Sequence, residues 1–240
     1  MYSGDEFLRE MVPGDHSRQV PTTYLLDRIF EREKVARVLD LGCGTGESLV
    51  YFKKMAPGIE WVGLDIESSP EVSQRSRKGP EFLTYDGEKI PFADASFDLV
   101  FCNHTYEHVR KPFTLIREVD RVLRPGGCFV GSVSCLEPFH SLSVCNFTPY
   151  GFKVLLSETS LVLSEIRPGI DVITVLLHRL TGRLPVLSGM IDPFFTKRES
   201  PINYFLGVLG RSFSRSHQDI NLLKLLFSGQ FRFLAKKTVK

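Results

Sequence analysis

From residue 36 to about residue 166, short β-branched and apolar runs alternate with segments whose apolar residues recur at helical spacing. That rhythm predicts an α/β fold, a mostly parallel sheet with helices on both faces. Strands are expected at Arg37–Leu41, Trp61–Asp65, Glu81–Tyr85, Phe97–Cys102, Cys128–Val133 and Leu161–Ile166. Helices are expected at Glu47–Met55, Pro70–Arg77, Pro112–Leu123 and Pro149–Glu158. In RVLRPGG the third helix must end, because Pro125 cannot continue it and Gly126 supplies the backbone freedom to leave it. Thr148 followed by Pro149 reads as the N-cap and first position of the fourth helix.

Ahead of the first strand, Thr22–Lys34 places Leu25, Leu26, Ile29 and Phe30 on one helical face, an amphipathic helix packed on the sheet. After the sixth strand, residues 169–229 lose strand alternation, contain Pro185, Pro193 and Pro201, and carry apolar clusters of helical type. Gln230–Ala235 alternates again, with Phe231 and Phe233 on one face, as an edge strand would. The expected organisation is an N-terminal helical cap (1–35), a core (36–168 and 230–240) and a helical insertion (169–229) that forms an acceptor lid or an interface.

Composition narrows the class. With 240 residues, 42% hydrophobic and 24% charged, the chain can bury a core. Its 30 basic against 28 acidic residues argue against a nucleic-acid partner bound along the whole surface. Five Cys form no CxxC pair and no Cys/His cluster, so no metal site is expected and the thiols read as free. The start, MYSGDEFLRE, is acidic rather than apolar, and no stretch is apolar enough to span a bilayer; a cytoplasmic location is expected.

The strongest chemical signal is VLDLGCGTG, with Gly42, Gly44 and Gly46 between the first strand and the next helix. Glycines there let backbone approach a ligand, and free amides at a helix start favour polar or anionic groups. A dinucleotide fingerprint needs Gly or Ala at position 47; Glu47 would instead repel a pyrophosphate. Asp40, ahead of the glycines, suits a cofactor with a positive amino group and no phosphate, and S-adenosylmethionine has both properties. Asp65 ends the second strand, where an acid accepts from ribose hydroxyls, and Asp86 follows the third, within reach of an adenine amino group.

With VLDLGCGTG, GLD, YDGEKIPFADASFDLVFCNHTYEHV and REVDRVLRPGGCFVGSV in this order, the chain resembles the class I S-adenosylmethionine-dependent methyltransferases. The likeness is to their small-molecule branch, the kind found in ubiquinone and menaquinone biosynthesis, and runs from residue 36 to about 166. It implies a Rossmann-like sheet of seven strands whose last is antiparallel, a place that QFRFLA fits. It also implies that Asp40, Gly42, Cys43, Gly44 and Gly46 line the methionine end of the cofactor. Asp65 would hold the ribose, Ile66 and Gly87 would lie by the adenine with Asp86, and Asn103 would lie beside the methionyl part. Asp98 stands at a strand entrance and reads as structural.

For the acceptor, a hydroxyl profits from a general base, whereas a carboxylate or phosphate needs none. His104 and His108 after the fourth strand, and His140 with Glu137 after the fifth, lie at strand ends where open α/β sheets bind ligands. The resemblance favours His140, because the loop after the fifth strand faces the acceptor in such enzymes. His108 also suits packing of the next helix, and His178 and His217 could reach the site only through a lid. A looser likeness of EPFHSLSVCNFTPYGFKVLL to polysaccharide and natural-product methyltransferases points to a small molecule, a sugar hydroxyl or a lipid-linked intermediate as acceptor.

Residues 197–240 hold nine Lys or Arg against two acids, a local +7 that leaves −5 for residues 1–196. A solvated helical surface, contact with an anionic membrane or lipid phosphate, and RNA or another phosphorylated substrate are the three readings of this tail. Lipid is favoured over RNA because no RNA-binding module accompanies the charge. A nicotinamide dehydrogenase is the rival enzyme, disfavoured by Glu47, and a catalytically silent binding protein is the rival of another class. A monomer or homodimer is expected.

Overall fold

The computed structural model describes residues 5–137, 142–181, 193 and 199–239. One seven-stranded sheet organises them. The strands are β1 (Arg37–Leu41), β2 (Glu60–Ile66), β3 (Phe82–Tyr85), β4 (Phe97–Asn103), β5 (Leu123–Ser134), β6 (Leu161–Pro168) and β7 (Gln230–Lys237). Their order across the sheet is β3-β2-β1-β4-β5-β7-β6, and β7 runs antiparallel to both neighbours.

Two helix layers cover the sheet. On one face lie α2 (Thr22–Arg32) and α3 (Ser48–Met55), burying Leu25, Leu26, Ile29 and Phe52 against Val38, Trp61, Leu99 and Val130. On the other lie α5 (Pro112–Val122) and α6 (Pro149–Ser157). In α5, Leu115, Ile116, Val119 and Val122 fall on one stripe and are all buried, as the 3.6-residue period requires. In α6, Phe152 packs with Phe129, Phe231 and Phe233; the Phe152 and Phe233 ring centroids are 4.5 Å apart. Short helices α1 (Asp5–Arg9) and α4 (Pro70–Ser73) and a 3-10 turn (Tyr106–His108) complete this part.

Between β6 and β7 come α7 (Val172–Thr181), α8 (Pro201–Ser212) and α9 (His217–Leu226), helical as the apolar clusters predict. No helix among the described residues is long and apolar enough to cross a membrane. Thr148 caps α6 as expected, its Oγ1 accepting from Gly151 N at 3.0 Å. Asp98 is structural as expected: it accepts from the amides of Ala36 and Arg37 at 2.8 Å and pairs with Arg124.

Three expectations are corrected. The helix expected over Pro70–Arg77 ends at Ser73, and Arg75 turns back onto the glycine loop instead. α5 ends at Val122, ahead of Pro125, because Leu123 turns extended and already pairs with Phe97 on β4. β7 is not an edge strand: it lies between β5 and β6, and Gln230–Phe233 are all buried. Its alternation separates an aromatic face under α6 from a polar face that is equally enclosed.

The basic tail is also less of a surface than its count implies. Lys224 is buried and pairs with Glu199, and Arg232 is buried. Lys236 pairs with Glu33, and Lys237 approaches Asp120 at 3.8 Å. Arg211 and Arg215 are exposed.

Candidate functional site

The polar end of the sheet is its carboxyl edge on the α2 face. The strand period puts Asp40 two residues beyond buried Val38, and Asp65 four beyond Trp61. Asn103 stands two beyond Phe101, and Ser132 two beyond Val130. These four polar residues therefore share one face with α2 and α3.

The glycine turn follows β1. Gly42 adopts φ +77°, and a Cβ there would lie 2.2 Å from Thr105 Oγ1. Gly46 has the same φ, and a Cβ there would meet the Phe82 ring at 2.5 Å. Only glycine combines that conformation with that closeness. Gly44 N donates to Asp65 Oδ2 and Ile66 N to Oδ1, both at 2.7 Å, so the acid that ends β2 clasps the loop. Arg75 Nε donates to Gly44 O at 2.7 Å, and its guanidinium stacks over Phe82 at 4.5 Å.

Asp40 is fully enclosed and accepts from Ser48 Oγ, which in turn accepts from Trp61 Nε1 at 3.2 Å. Burial, with repulsion from Asp65 added, pushes its carboxyl up to about 7, against the lowering effect of Ser48. Burial also raises the Asp65 carboxyl, partly offset by the Gly44 and Ile66 amides. Asp86 is exposed; Oδ1 accepts from the amides of Lys89 and Glu88 at 2.8 Å, which lowers its pKa and leaves Oδ2 facing out. Ile66 is half-exposed beside Gly87, and Cys43 is buried with its thiol 3.4 Å from Arg75 Nη2.

After β4, Asn103 Oδ1 accepts from Ser132 Oγ at 2.7 Å and from Thr22 Oγ1 at 3.0 Å, so α2 closes over the strand end. His104 holds φ +55°, a conformation a β-carbon disfavours, with its amide donating to Ser132 O at 3.0 Å. Its Nδ1 lies 3.2 Å from Oε1 of Glu107, which also accepts from Ser134 Oγ at 2.8 Å. Glu107 is completely buried and, among the described residues, Oε2 has no partner. Burial raises the Glu107 carboxyl, yet the hydrogen bond and charge of His104, with Ser134, outweigh it and hold it below the ordinary glutamate value.

His108 ends the 3-10 turn after Glu107. Glu137, expected as a possible base, is buried and ion-paired with Arg179 of α7. His217 approaches Ser17 Oγ at 3.3 Å. His140 lies outside the described residues. Among the described residues no His, Cys, Asp and Glu cluster suits a metal.

Three polar residues escaped the sequence reading. Glu107 had a usable signal, its position three residues after His104 within one turn. Arg75 and Arg232 had none, because their partners and surroundings are remote in sequence.

The donor set defines what can bind. Carboxylates at three strand ends and Glu47 at the N-cap of α3 repel a pyrophosphate and fit a cationic, hydroxyl-bearing ligand. A family model described as a methyltransferase domain matches residues 39–131. The chain is 33% identical over 124 residues to a malonyl-acyl-carrier-protein O-methyltransferase of Legionella pneumophila, covering 48% of this chain and 44% of that one. It is 35% identical over 95 residues to a demethylmenaquinone methyltransferase of Thermotoga maritima, covering 39% and 42%. The chain thus spans less than half the length of these relatives. A Haemonchus contortus phosphoethanolamine N-methyltransferase, solved with phosphomonomethylethanolamine and S-adenosylhomocysteine, superposes with TM-score 0.57 at 16% identity, covering 91% of this chain and 53% of that one. A geranyl diphosphate methyltransferase solved with its diphosphate and sinefungin superposes at 0.54 and 16%, covering 90% and 76%. At such identities the likeness speaks for fold alone.

Proposed function

We propose that the chain is a class I S-adenosylmethionine-dependent methyltransferase that methylates an oxygen of a small-molecule acceptor. The methyltransferase-domain match over residues 39–131 and the likeness to an O-methyltransferase support this reading. The observation that carries the cofactor half is the clasp of the glycine turn by Asp65, with Asp40 buried behind it. When bound, S-adenosylmethionine supplies a methyl group on a cationic sulfur.

Asp40 would balance positive charge at the methionine end, beside the glycine turn. Asp65 keeps acceptor capacity for ribose hydroxyls, since each carboxylate oxygen takes more than one hydrogen bond. Ile66 and Gly87 would flank the adenine, and Asp86 Oδ2 would accept from its amino group. Asn103 is fixed by two hydroxyl donors on Oδ1, which directs its NH2 group to donate.

His104 is the base that the geometry favours. With Nδ1–H donated to Glu107, the ring would take a hydroxyl proton at Nε2, and the buried carboxylate would steady the resulting imidazolium. His108 and His140 stay alternatives for that role. Calorimetry with S-adenosylhomocysteine tests the cofactor half: binding is expected, and binding of NAD in its place would overturn the reading. Methyl incorporation into a screened acceptor pool tests the other half.

A second reading, a lipid-linked acceptor at a membrane surface, is favoured by one observation. Leu176 and Leu180 of α7 and Tyr204, Phe205 and Phe213 at α8 are exposed, with Arg211 and Arg215 beside them. Cosedimentation with phosphatidylglycerol vesicles is expected on that reading, and its absence at physiological salt removes it.

A further inference from the structure

Arg232 is enclosed in the sheet and, among the described residues, has no ion pair. On β7 it stands opposite Ser132 of β5 and opposite Arg167 of β6. Directly opposed residues of antiparallel strands share a face, so the two guanidinium groups are neighbours on the side that carries Asn103 and Asp40.

The two are treated differently. Arg167 donates to Asp15 at 2.7 Å and to Glu165 at 2.5 Å. Among the described residues nothing accepts from Nε or Nη1 of Arg232, and both atoms are fully buried. Burial alone lowers its guanidinium to about 10, with no acid near enough to contribute. Its Nη1 lies directly over Gly169, 1.7 Å from where a Cβ would be, so the side chain reaches the carboxyl end of β6. Among the described residues, Gln230 Oε1 and Asn203 Oδ1 are also buried and without a partner. Burying a cation with unmet donors, beside a second cation that already engages its own acids, is among the most costly arrangements a fold can hold.

Resting on the methyltransferase reading above, we propose that Arg232 is an acceptor-binding residue whose ligand is an anionic oxygen group, carboxylate or phosphate, of the methyl acceptor. Asn103, Ser132 and Arg232 occupy three adjacent strands in register. The anion site therefore stands two strand spacings, about 10 Å, from the cofactor residue Asn103. That distance suits a small acceptor anchored at one end and methylated at the other. Gln230 and Asn203 supply acceptors for hydroxyl or amine hydrogens of the same molecule. Arg is suited to the task because it stays charged when enclosed.

The test compares the full chain with Arg232→Met and Arg232→Lys by thermal unfolding, in sodium acetate and in sodium phosphate against chloride of equal ionic strength. The wild type should show a saturable rise in Tm of several degrees with one or both anions, acetate alone pointing to a carboxylate and phosphate alone to a phosphoryl group. Arg232→Met should lose that rise and melt, ligand-free, at or above the wild type; Arg232→Lys should keep a rise at tenfold or higher anion concentration. No anion-specific rise in the wild type, or a rise retained by Arg232→Met, overturns the proposal, as does a ligand-free Arg232→Met that melts well below the wild type. S-adenosylhomocysteine should bind all three proteins within twofold; failure of the wild type to bind it would sink the cofactor reading instead, independently of the anion arm.

Discussion

Nδ1 of His104 faces Oε1 of the completely buried Glu107 at 3.2 Å, from a backbone held at φ +55°. A left-handed histidine tied to an enclosed carboxylate is costly unless surrounding bonds impose it, here the His104 amide on Ser132 O and Ser134 Oγ on Glu107. If this pair acts on the acceptor, His104→Ala lowers kcat about 100-fold or more, within the range general bases supply. Glu107→Gln keeps the shape but removes the charge, and should lower kcat about 10-fold. Steady-state rates with S-adenosylhomocysteine affinity measured alongside separate this from a packing defect, which would alter both.

On the proposed cofactor reading, Asp40 makes affinity depend on pH. Its folded-state pKa near 7 exceeds the ordinary aspartate value, so below pH 7 it keeps a proton that a cationic ligand must displace. Affinity for S-adenosylhomocysteine should rise up to about tenfold per pH unit from 6 toward 7 and level off above, with proton release seen by calorimetry in two buffers. The same shift means the folded state binds more protons than the unfolded one between about pH 4 and 7, so Asp40 costs stability as pH rises through that window. Asp40→Asn should therefore raise Tm at pH 8 and weaken binding, a combination that simple damage does not produce.

Gly42→Ala places a methyl group against Thr105 and forces a β-carbon to φ +77°. The cost is on the order of 1–3 kcal/mol for the backbone conformation, before the clash is relieved. Affinity for S-adenosylhomocysteine should fall at least tenfold. Trimming Thr105 to Gly should restore only part of the loss, since the dihedral strain stays.

Phe233→Ala removes a ring packed 4.5 Å from Phe152, both without solvent exposure. The loss should be about 3–5 kcal/mol, or roughly 10 °C in Tm for a chain of this size. Leu at the same position should recover most of it by thermal unfolding.

The glycine turn, its three strand-end acids and the six leading strands were readable because each rests on local pattern: runs of β-branched residues, a glycine cluster, a carboxylate at a strand end. The setting of β7 was not. Phe231 and Phe233 alternate with Arg232, and a cation in alternation with aromatics reads as a solvent-facing position; only pairing on both sides makes it internal. Likewise Asp15 and Arg167 are joined across 152 positions, and Thr22 and Asn103 across 81, with nothing in either segment to announce the other. Charge totals misled for the same reason, since Lys224 and Lys236 find their acids at Glu199 and Glu33.

The placement of β7 bears on how the chain reaches its native state. β6 hydrogen-bonds to the sheet only through β7, and β7 follows it by some sixty residues that include α7, α8 and α9. Until Gln230–Lys237 arrives, β6 has no partner and the outer flank of β5 lies open as an unpaired edge. Closing that gap requires contacts of long sequence separation, which slow folding. Two strand flanks therefore stay open until β7 docks, the interval in which such edges are most prone to wrong pairing.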